Sequence, residues 1–234
     1  MSNSAPNSLN REPAGLPKGR PREFNIQEVT AAAKEVFWER GYQGSTLADL
    51  ETATGLHRSS LYLAFGTKEA LFAEALGLHI DTVLAPRLAG MELRGAGPRD
   101  VIEFFRGLAR FFRDDAVVGR RGCLWVNSLA EFTGRKPPLD ARAEYRLRLR
   151  RAFAHALSER AGRGSPTPRL VERRSRMLAA TTFGIWLTAR IDTSEAARLC
   201  DTVVAEVRSW GQDKAAALRD GANHSAGLRQ AQSL

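Results

Sequence analysis

The sequence predicts an all-α protein, a three-helix unit built round a helix-turn-helix and followed by a larger helical region, and three observations carry that expectation. Apolar residues recur three and four positions apart along successive segments. No segment sustains an alternation of period two, and clusters of Gly and Pro cut the chain into stretches of about 12 to 25 residues. With 234 residues, 43% of them hydrophobic and 26% charged, the chain is long enough to bury a sizeable core and too apolar for wholesale disorder.

Two cysteines far apart, Cys123 and Cys200, fit a reducing compartment better than a disulfide scaffold. The opening MSNSAPNSLNREP contains no apolar run that would serve a signal peptide. The longest uncharged run, Met177 to Ala189, falls short of the roughly 20 residues needed to cross a bilayer. The expectation is a cytoplasmic protein without a membrane partner.

Taken in order, residues 1–23 are rich in Ser, Asn, Pro and Gly, end in LPKGRPRE and read as a flexible basic arm. Ordered structure should begin near Phe24. Ile26, Val29, Ala33 and Val36, with Phe37 beside them, mark one face of a first helix; Asn25 and Glu28 have capping-box spacing, and Gly41 ends it. Thr46 and Asp49 repeat that spacing before a second helix, which Gly55 stops. A third helix runs from Arg58 to Phe65, and Gly66-Thr67 precedes a fourth that begins at Lys68 and continues through Leu71, Phe72, Ala75 and Leu76. Beyond residue 77, breakers at Gly95–Pro98, Gly119–Gly122, Gly134–Pro138 and Gly162–Pro168 bring the expected total to nine or ten helices. Two of these are long, Leu139 to Arg160 and Pro168 to Arg190. The predicted units are the arm 1–23, a helix-turn-helix unit 24–76 with its motif at 46–65, a helical region 77–212 and a flexible tail 213–234.

Within the motif, TLADLETATGLHRSSLYLAF, the residues Leu47, Leu50, Ala53, Leu56, Leu61 and Phe65 are spaced to pack two short helices together and onto the first. Small Ala53 is expected where the helices cross, and Gly55 is free to take the positive φ of a tight turn. Arg58, Ser59, Ser60 and Tyr62 are left on the outer surface and amino-terminal end of the third helix. Such side chains reach phosphates and base edges when a helix enters the major groove of DNA. A helical hairpin whose solvated face happens to hold hydroxyls is the alternative at this point.

The pattern F-x-x-x-G-Y-x-x-x-T (Phe37, Gly41, Tyr42, Thr46), the turn Gly55-Leu56, Leu61-Tyr62, Phe65 and the entry Lys68-Glu69-Ala70-Leu71 extend the motif in both directions. In these features residues 24–76 resemble the amino-terminal DNA-binding region of the TetR family of bacterial transcriptional regulators. The resemblance implies a double-stranded DNA operator as partner, with Thr46 and Tyr62 on phosphate oxygens and Lys68 adding a further phosphate contact at its helix start. It implies Ser60 as a small hydroxyl facing the DNA, with Arg58 and Ser59 at base edges. Three places depart from the pattern: His57 stands for the usual Ser or Asn cap, Glu51 for a small residue, and Leu63-Ala64 for an often polar pair. Leu63 would touch a thymine methyl instead of donating a hydrogen bond. Arg20 and Arg22, with Lys18, would enter a minor groove as flexible basic arms do, or form a tail without a role.

For residues 77–212 the resemblance implies a ligand-binding and dimerisation domain. The two long helices would pack against the same pair of a second subunit, and the homodimer would present two recognition helices about 34 Å apart to a near-palindrome. A small-molecule effector would release the DNA, which is the behaviour of a repressor. Phe104, Phe105, Phe112, Trp125, Asn127, Phe183 and Trp186 are the residues to line its pocket, or else to fill the core. Cys123 follows Arg120-Arg121-Gly122 at a helix start and is either a reactive thiol of lowered pKa or a buried inert one. A redox or electrophile sensor using the same DNA-binding domain, and a helical ligand-binding protein that has lost DNA binding, are the competing functions. Four histidines without metal-ligand spacing, no nucleophile elbow and no Gly-rich phosphate loop argue against an enzyme, a metal site and a cofactor.

A net charge of +9 points to an anionic partner, yet the helix-turn-helix does not carry it. Residues 1–76 hold eight basic and nine acidic side chains, whereas residues 98–176 hold nineteen and nine. The surplus arginines, Arg142 to Arg151 and Arg169 to Arg176, read as a solvated helix face or as the site of an anionic effector.

Overall fold

The computed structural model describes residues 24–132, 140–158 and 166–210. The arm with Lys18, Arg20 and Arg22, the tail 213–234 and the Arg142 side chain lie outside the described residues. Regular structure among them is helical: α1 (Ile26–Gly44), α2 (Leu47–Thr54), α3 (Arg58–Phe65), α4 (Lys68–His79), a π-helical turn (Ile80–Leu84), α5 (Ala85–Glu92), α6 (Pro98–Asp114), α7 (Ala116–Arg120), α8 (Leu124–Glu131), α9 (Asp140–Ser158) and α10 (Pro168–Ala189). Residues 193–210 form a further helix, α11. The total exceeds the nine or ten expected because two boundaries fall outside the Gly- and Pro-rich clusters that marked the others. Asp115 starts α7 by accepting the Val118 N–H at 2.9 Å, and the π turn divides one continuous rod into α4 and α5 without breaking its right-handed course.

Caps set the other boundaries as the spacing predicts. Asn25 accepts the Gln27 N–H at 2.9 Å, although Glu28 bonds the Asn25 amide rather than a backbone N–H. The Asp100 carboxylate accepts the Gly97 N–H at 2.7 Å beside Pro98, the first residue of α6.

Packing joins the helix-turn-helix unit to the larger bundle instead of leaving a seam. Phe37 of α1 meets Phe72 of α4 edge-on at 5.0 Å, and Phe132, just past α8, lies 4.7 Å from Tyr42 and 5.5 Å from Phe72. Burying a ring of this size stabilises by about 1.5 to 3 kcal/mol, so this cluster alone fixes α1, α4 and the end of α8 together. A second junction lies farther back along α1. The Trp38 indole N–H donates to the Gly122 carbonyl at 3.0 Å. The Arg121 guanidinium sits 4.2 Å over the Trp38 ring and reaches Glu35 at 2.8 Å, while the His79 ring stands edge-on to the indole at 4.8 Å.

In the bundle α9 is central, packed by α10, α5 and α6 with Tyr145, Leu149, Ala152, Phe153 and Ala156 buried. Among the described side chains α9 leaves no large apolar one exposed, whereas α10 keeps an uncovered stripe with Met177 45%, Leu187 51% and, just beyond it, Ile191 86% exposed.

Gly41 breaks α1 at φ +73°, a conformation disfavoured for any residue with a Cβ. The turn it makes exposes the Gln43 N–H, which the Glu131 carboxylate of α8 accepts at 2.7 Å. A Cβ on Gly41 would lie 2.7 Å from Glu131 Oε1. Gly41→Ala is expected to lower the unfolding free energy by about 1 to 3 kcal/mol in urea denaturation. Gly44→Ala, where the nearest foreign atom is 3.7 Å away, should change it by under about 0.5 kcal/mol; equal losses would remove the Gly41–Glu131 explanation.

Candidate nucleic-acid interface

The second helix is fixed by a complete capping box. Thr46 Oγ1 accepts the Asp49 N–H at 3.1 Å, and Asp49 Oδ2 accepts the Thr46 N–H at 2.8 Å and its hydroxyl at 2.7 Å. The bond from the Thr46 backbone is the first cause of a lowered Asp49 pKa, and the ion pair with Arg40 contributes less. Thr46 therefore stays exposed with its hydroxyl already oriented. Leu50 and Leu61 form the buried contact of α2 and α3, with Leu47, Leu56 and Phe65 packed at its margin. Ala53 is exposed, contrary to its expected place at the crossing; Gly55, at φ +68°, turns the chain so that Leu50 meets Leu61 instead.

Two of the departures from the expected pattern compensate each other. His57 makes no side-chain cap at the start of α3. Glu51, seven residues earlier, accepts the Arg58 N–H at 2.5 Å, so a carboxylate from α2 satisfies a free donor of α3 and complements its dipole. The helix so capped presents Arg58, Ser59, Tyr62 and Leu63 to solvent, with Ser60 half-buried. Leu63 is 88% exposed, the most exposed large apolar side chain among the described residues. Arg58 lies 5.3 Å over the Tyr62 ring, one turn along the same face.

Lys68 does not join that surface. Its ammonium donates to the Tyr42 carbonyl at 2.6 Å and lies 4.3 Å over the Tyr42 ring. Burial is the first cause of its lowered pKa, with Glu69, Glu131 and Asp49 acting the other way. Without DNA the ammonium is thus held by a carbonyl near the end of α1, with which a phosphate at the start of α4 would have to compete.

In the larger bundle the seven residues named for a pocket separate into groups. Phe104 and Phe105 pack on Phe153 at 5.4 and 5.8 Å, and Phe112 packs on Trp186 at 5.2 Å. Trp125 lies between Tyr145 and Phe183, each at 5.1 Å. Asn127 donates to the Arg121 carbonyl at 2.8 Å and braces the start of α8. Phe104, Phe105, Phe112 and Trp186 thus pack the core and Asn127 satisfies backbone, while Trp125 and Phe183 pair with each other beside Tyr145. Sequence reasoning missed a half-buried charge of the bundle: Arg87 on α5, with its guanidinium 5.0 Å over Phe111. A basic residue in a helical run reads as surface, so no signal distinguished it.

Several of the surface arginines are paired. Arg148 makes two bonds to Glu92 at 2.7 and 2.8 Å, Arg176 and Arg150 share Glu172, and Arg174 lies 4.1 Å over Trp210. Cys123 does stand at the start of α8, but burial pushes its pKa up to about 12, overriding the dipole and positive charge expected to lower it. Its Sγ is 3.7 Å from Nε2 of buried His79, whose pKa burial lowers to about 3. Among the described residues no group of three or more His, Cys, Asp or Glu is placed to hold a metal, and no helix is long and apolar enough to cross a membrane.

Residues 29–75 match the bacterial regulatory proteins of the tetR family. An HTH-type transcriptional regulator of Bacillus subtilis, YezE, is 32% identical over 140 residues, 59% of this chain and 71% of that protein. The transcriptional repressor ComR of Escherichia coli is 30% identical over 47% of this chain and 52% of its own length. Among solved structures, a cysteine-substituted form of the TetR family regulator CifR bound to 26-base-pair operator DNA is 27% identical, with a TM-score of 0.65 over 82% of this chain and all of that one. The reduced form of Escherichia coli NemR, 20% identical over 79% of this chain and 95% of that one, shares the fold with a TM-score of 0.64.

The CifR structure carries cysteine substitutions and that of NemR is a reduced form; in this chain burial pushes both thiols to a pKa of about 12. At pH 8 only about one thiol in 10,000 is then ionised. The native protein should resist a thiol reagent that labels both cysteines promptly in denaturant. Labelling of native Cys123 at the rate of a free thiol would contradict the burial described.

Proposed function

Since the chain belongs to the TetR family of bacterial transcriptional regulators, we propose that it binds a palindromic operator as a homodimer, acts as a repressor and is released by a small-molecule effector. The observation that carries the reading is the exposed face of α3, where Arg58, Ser59, Tyr62 and Leu63 stand on a helix capped by Glu51. A guanidinium for guanine, hydroxyls for phosphate or base edges and a methyl-bearing chain for thymine make a surface suited to the major groove. Thr46 flanks it from the start of α2, and Ser60 lies at its edge. The amino-terminal arm with Arg20 and Arg22 would reach an adjacent minor groove. On this reading residues 24–76 are the DNA reader and residues 77–212 the effector and dimer part.

The partner subunit is assigned to the outer face of α10. Met177, Ala180, Gly184, Leu187 and Ile191 are exposed at spacings of three, four, three and four residues, the repeat that packs one helix along another. A second copy meeting this stripe across a two-fold axis buries it and sets the separation of the two α3 helices. The lever to the effector is the rod from Lys68 to Glu92, which carries the reader at one end and Arg87 near the other. Effector binding must favour the DNA-incompetent arrangement by about 1 to 3 kcal/mol for a typical coupling. Buried thiols weigh against a cysteine sensor as the second reading.

Tyr62→Phe is expected to weaken operator binding on every sequence and to flatten its salt dependence, read by fluorescence anisotropy at two salt concentrations. Arg58→Ala should instead cost about 1 to 3 kcal/mol and relax preference at one base position in a selection experiment; an unchanged preference argues against base contact. Leu187→Glu should convert the dimer to a monomer in light scattering and abolish high-affinity operator binding. A dimer that persists places the interface elsewhere.

A further inference from the structure

The interior of the larger bundle holds a cation without an anion. Arg87 is half-buried, donates to the Val83 carbonyl one turn back and covers the Phe111 ring. No carboxylate among the described residues pairs with it, whereas Arg113, Arg121 and Arg148 are each matched to one. Burial is the first cause of the lowered Arg87 pKa, and the two titratable groups that act the other way, Tyr145 and Cys123, are themselves kept neutral by burial. Beside Tyr145 lies Trp125, 99% covered, whose indole N–H finds no acceptor.

Two donors here lack an anionic partner among the described residues: the guanidinium, bonded only to a carbonyl of its own helical rod, and the Trp125 indole N–H. Unmatched donors in a low-dielectric interior are costly, and a carboxylate satisfies two or three at once. The neighbouring side chains are aromatic: Trp125 packs with Tyr145 and Phe183, and Phe111, under the guanidinium, lies 5.9 Å from Trp186. Phe111, Phe183 and Arg87 keep partial exposure although they stand between α5, α6, α8 and α10, so the region is not sealed.

We propose that this space receives a small aromatic carboxylic acid, its carboxylate paired with Arg87 and Trp125 and its ring held among the aromatic side chains. The proposal rests on the effector reading above and names the chemical class of that effector. It also differs from the anion site expected from the sequence: Arg150 and Arg176 share Glu172 and Arg148 pairs with Glu92, while among the described residues no carboxylate pairs with Arg87.

The full chain is titrated with benzoate, 4-hydroxybenzoate and 1-naphthoate and with the matching carboxamides, following the thermal midpoint and tryptophan fluorescence. At least one carboxylate should raise the midpoint and change the fluorescence saturably while its amide does neither. Arg87→Met should weaken that carboxylate about tenfold or more and Arg87→Lys less, since a lysine keeps charge but not the planar fork. The unliganded Arg87→Met protein should melt within a few degrees of the parent, because no carboxylate among the described residues is left unpaired and the methionine keeps an apolar contact with Phe111. Equal response to acid and amide, no response to any carboxylate, or undiminished binding by Arg87→Met overturns the proposal. Operator binding is measured separately: its absence with the carboxylate response intact refutes the regulator reading alone, and the reverse refutes only the ligand class.

Discussion

The Trp38 indole is the contact on which the relation between the two ends of the molecule depends. One side chain of α1 gives its N–H to a carbonyl 84 residues away, takes a guanidinium on its face and meets a buried imidazole at its edge. Each of these alone is worth about 1 kcal/mol, but they share one rigid ring and so cannot be lost one at a time. Because α1 also carries Phe37 and Tyr42, the orientation of α2 and α3 is inherited from this anchor through a continuous aromatic stack. Glu131, holding the Gln43 N–H, closes the other end of the same helix. The reader is thus fastened at two points of α1, each contributed by a terminus of α8.

Electrostatics are distributed against first intuition. The positive surplus sits in the bundle, where Glu92, Glu172 and Asp201 pair with surface arginines that water and salt also screen. The proposed DNA surface has few cations, and one that the sequence offers, Lys68, is turned back to α1. Specific shape and a small number of placed donors must therefore carry recognition, with a weaker dependence on salt than the overall charge implies.

Much of this architecture was legible in the sequence because the relevant signals are local. A capping box spans three residues, so Thr46 and Asp49 announce α2 without knowledge of the rest. Gly41 and Gly55 announce their turns in the same way, and the three-and-four spacing places Phe37, Leu50 and Leu61 inside. What escaped was contact across long separations. Glu51 reaching the start of α3 looks like a defect in the pattern until its partner is seen. Lys68 has the right position and charge for phosphate, and only the Tyr42 carbonyl reverses its direction. Arg87 is the clearest case, since nothing in its neighbours along the chain sets it apart from the rest of the 35 lysines and arginines of the sequence. The burial of α9 escaped for a related reason: periodicity gives the apolar face of a helix but not how many neighbours share it.

The π turn at Ile80–Leu84 adds one residue to what is otherwise a single helical rod. An α-helix advances about 100° per residue, so the extra residue sets the rotational phase between everything before it and everything after it. With it, His79 faces the Trp38 anchor while Arg87 faces Phe111. Loss of a single residue there would leave both halves able to form their helices yet turned out of step, the cation directed to a different neighbour. The length of this segment is consequently a register shared by two functions, and a chimaera joining this reader to another bundle would have to preserve it or be cut on one side of it.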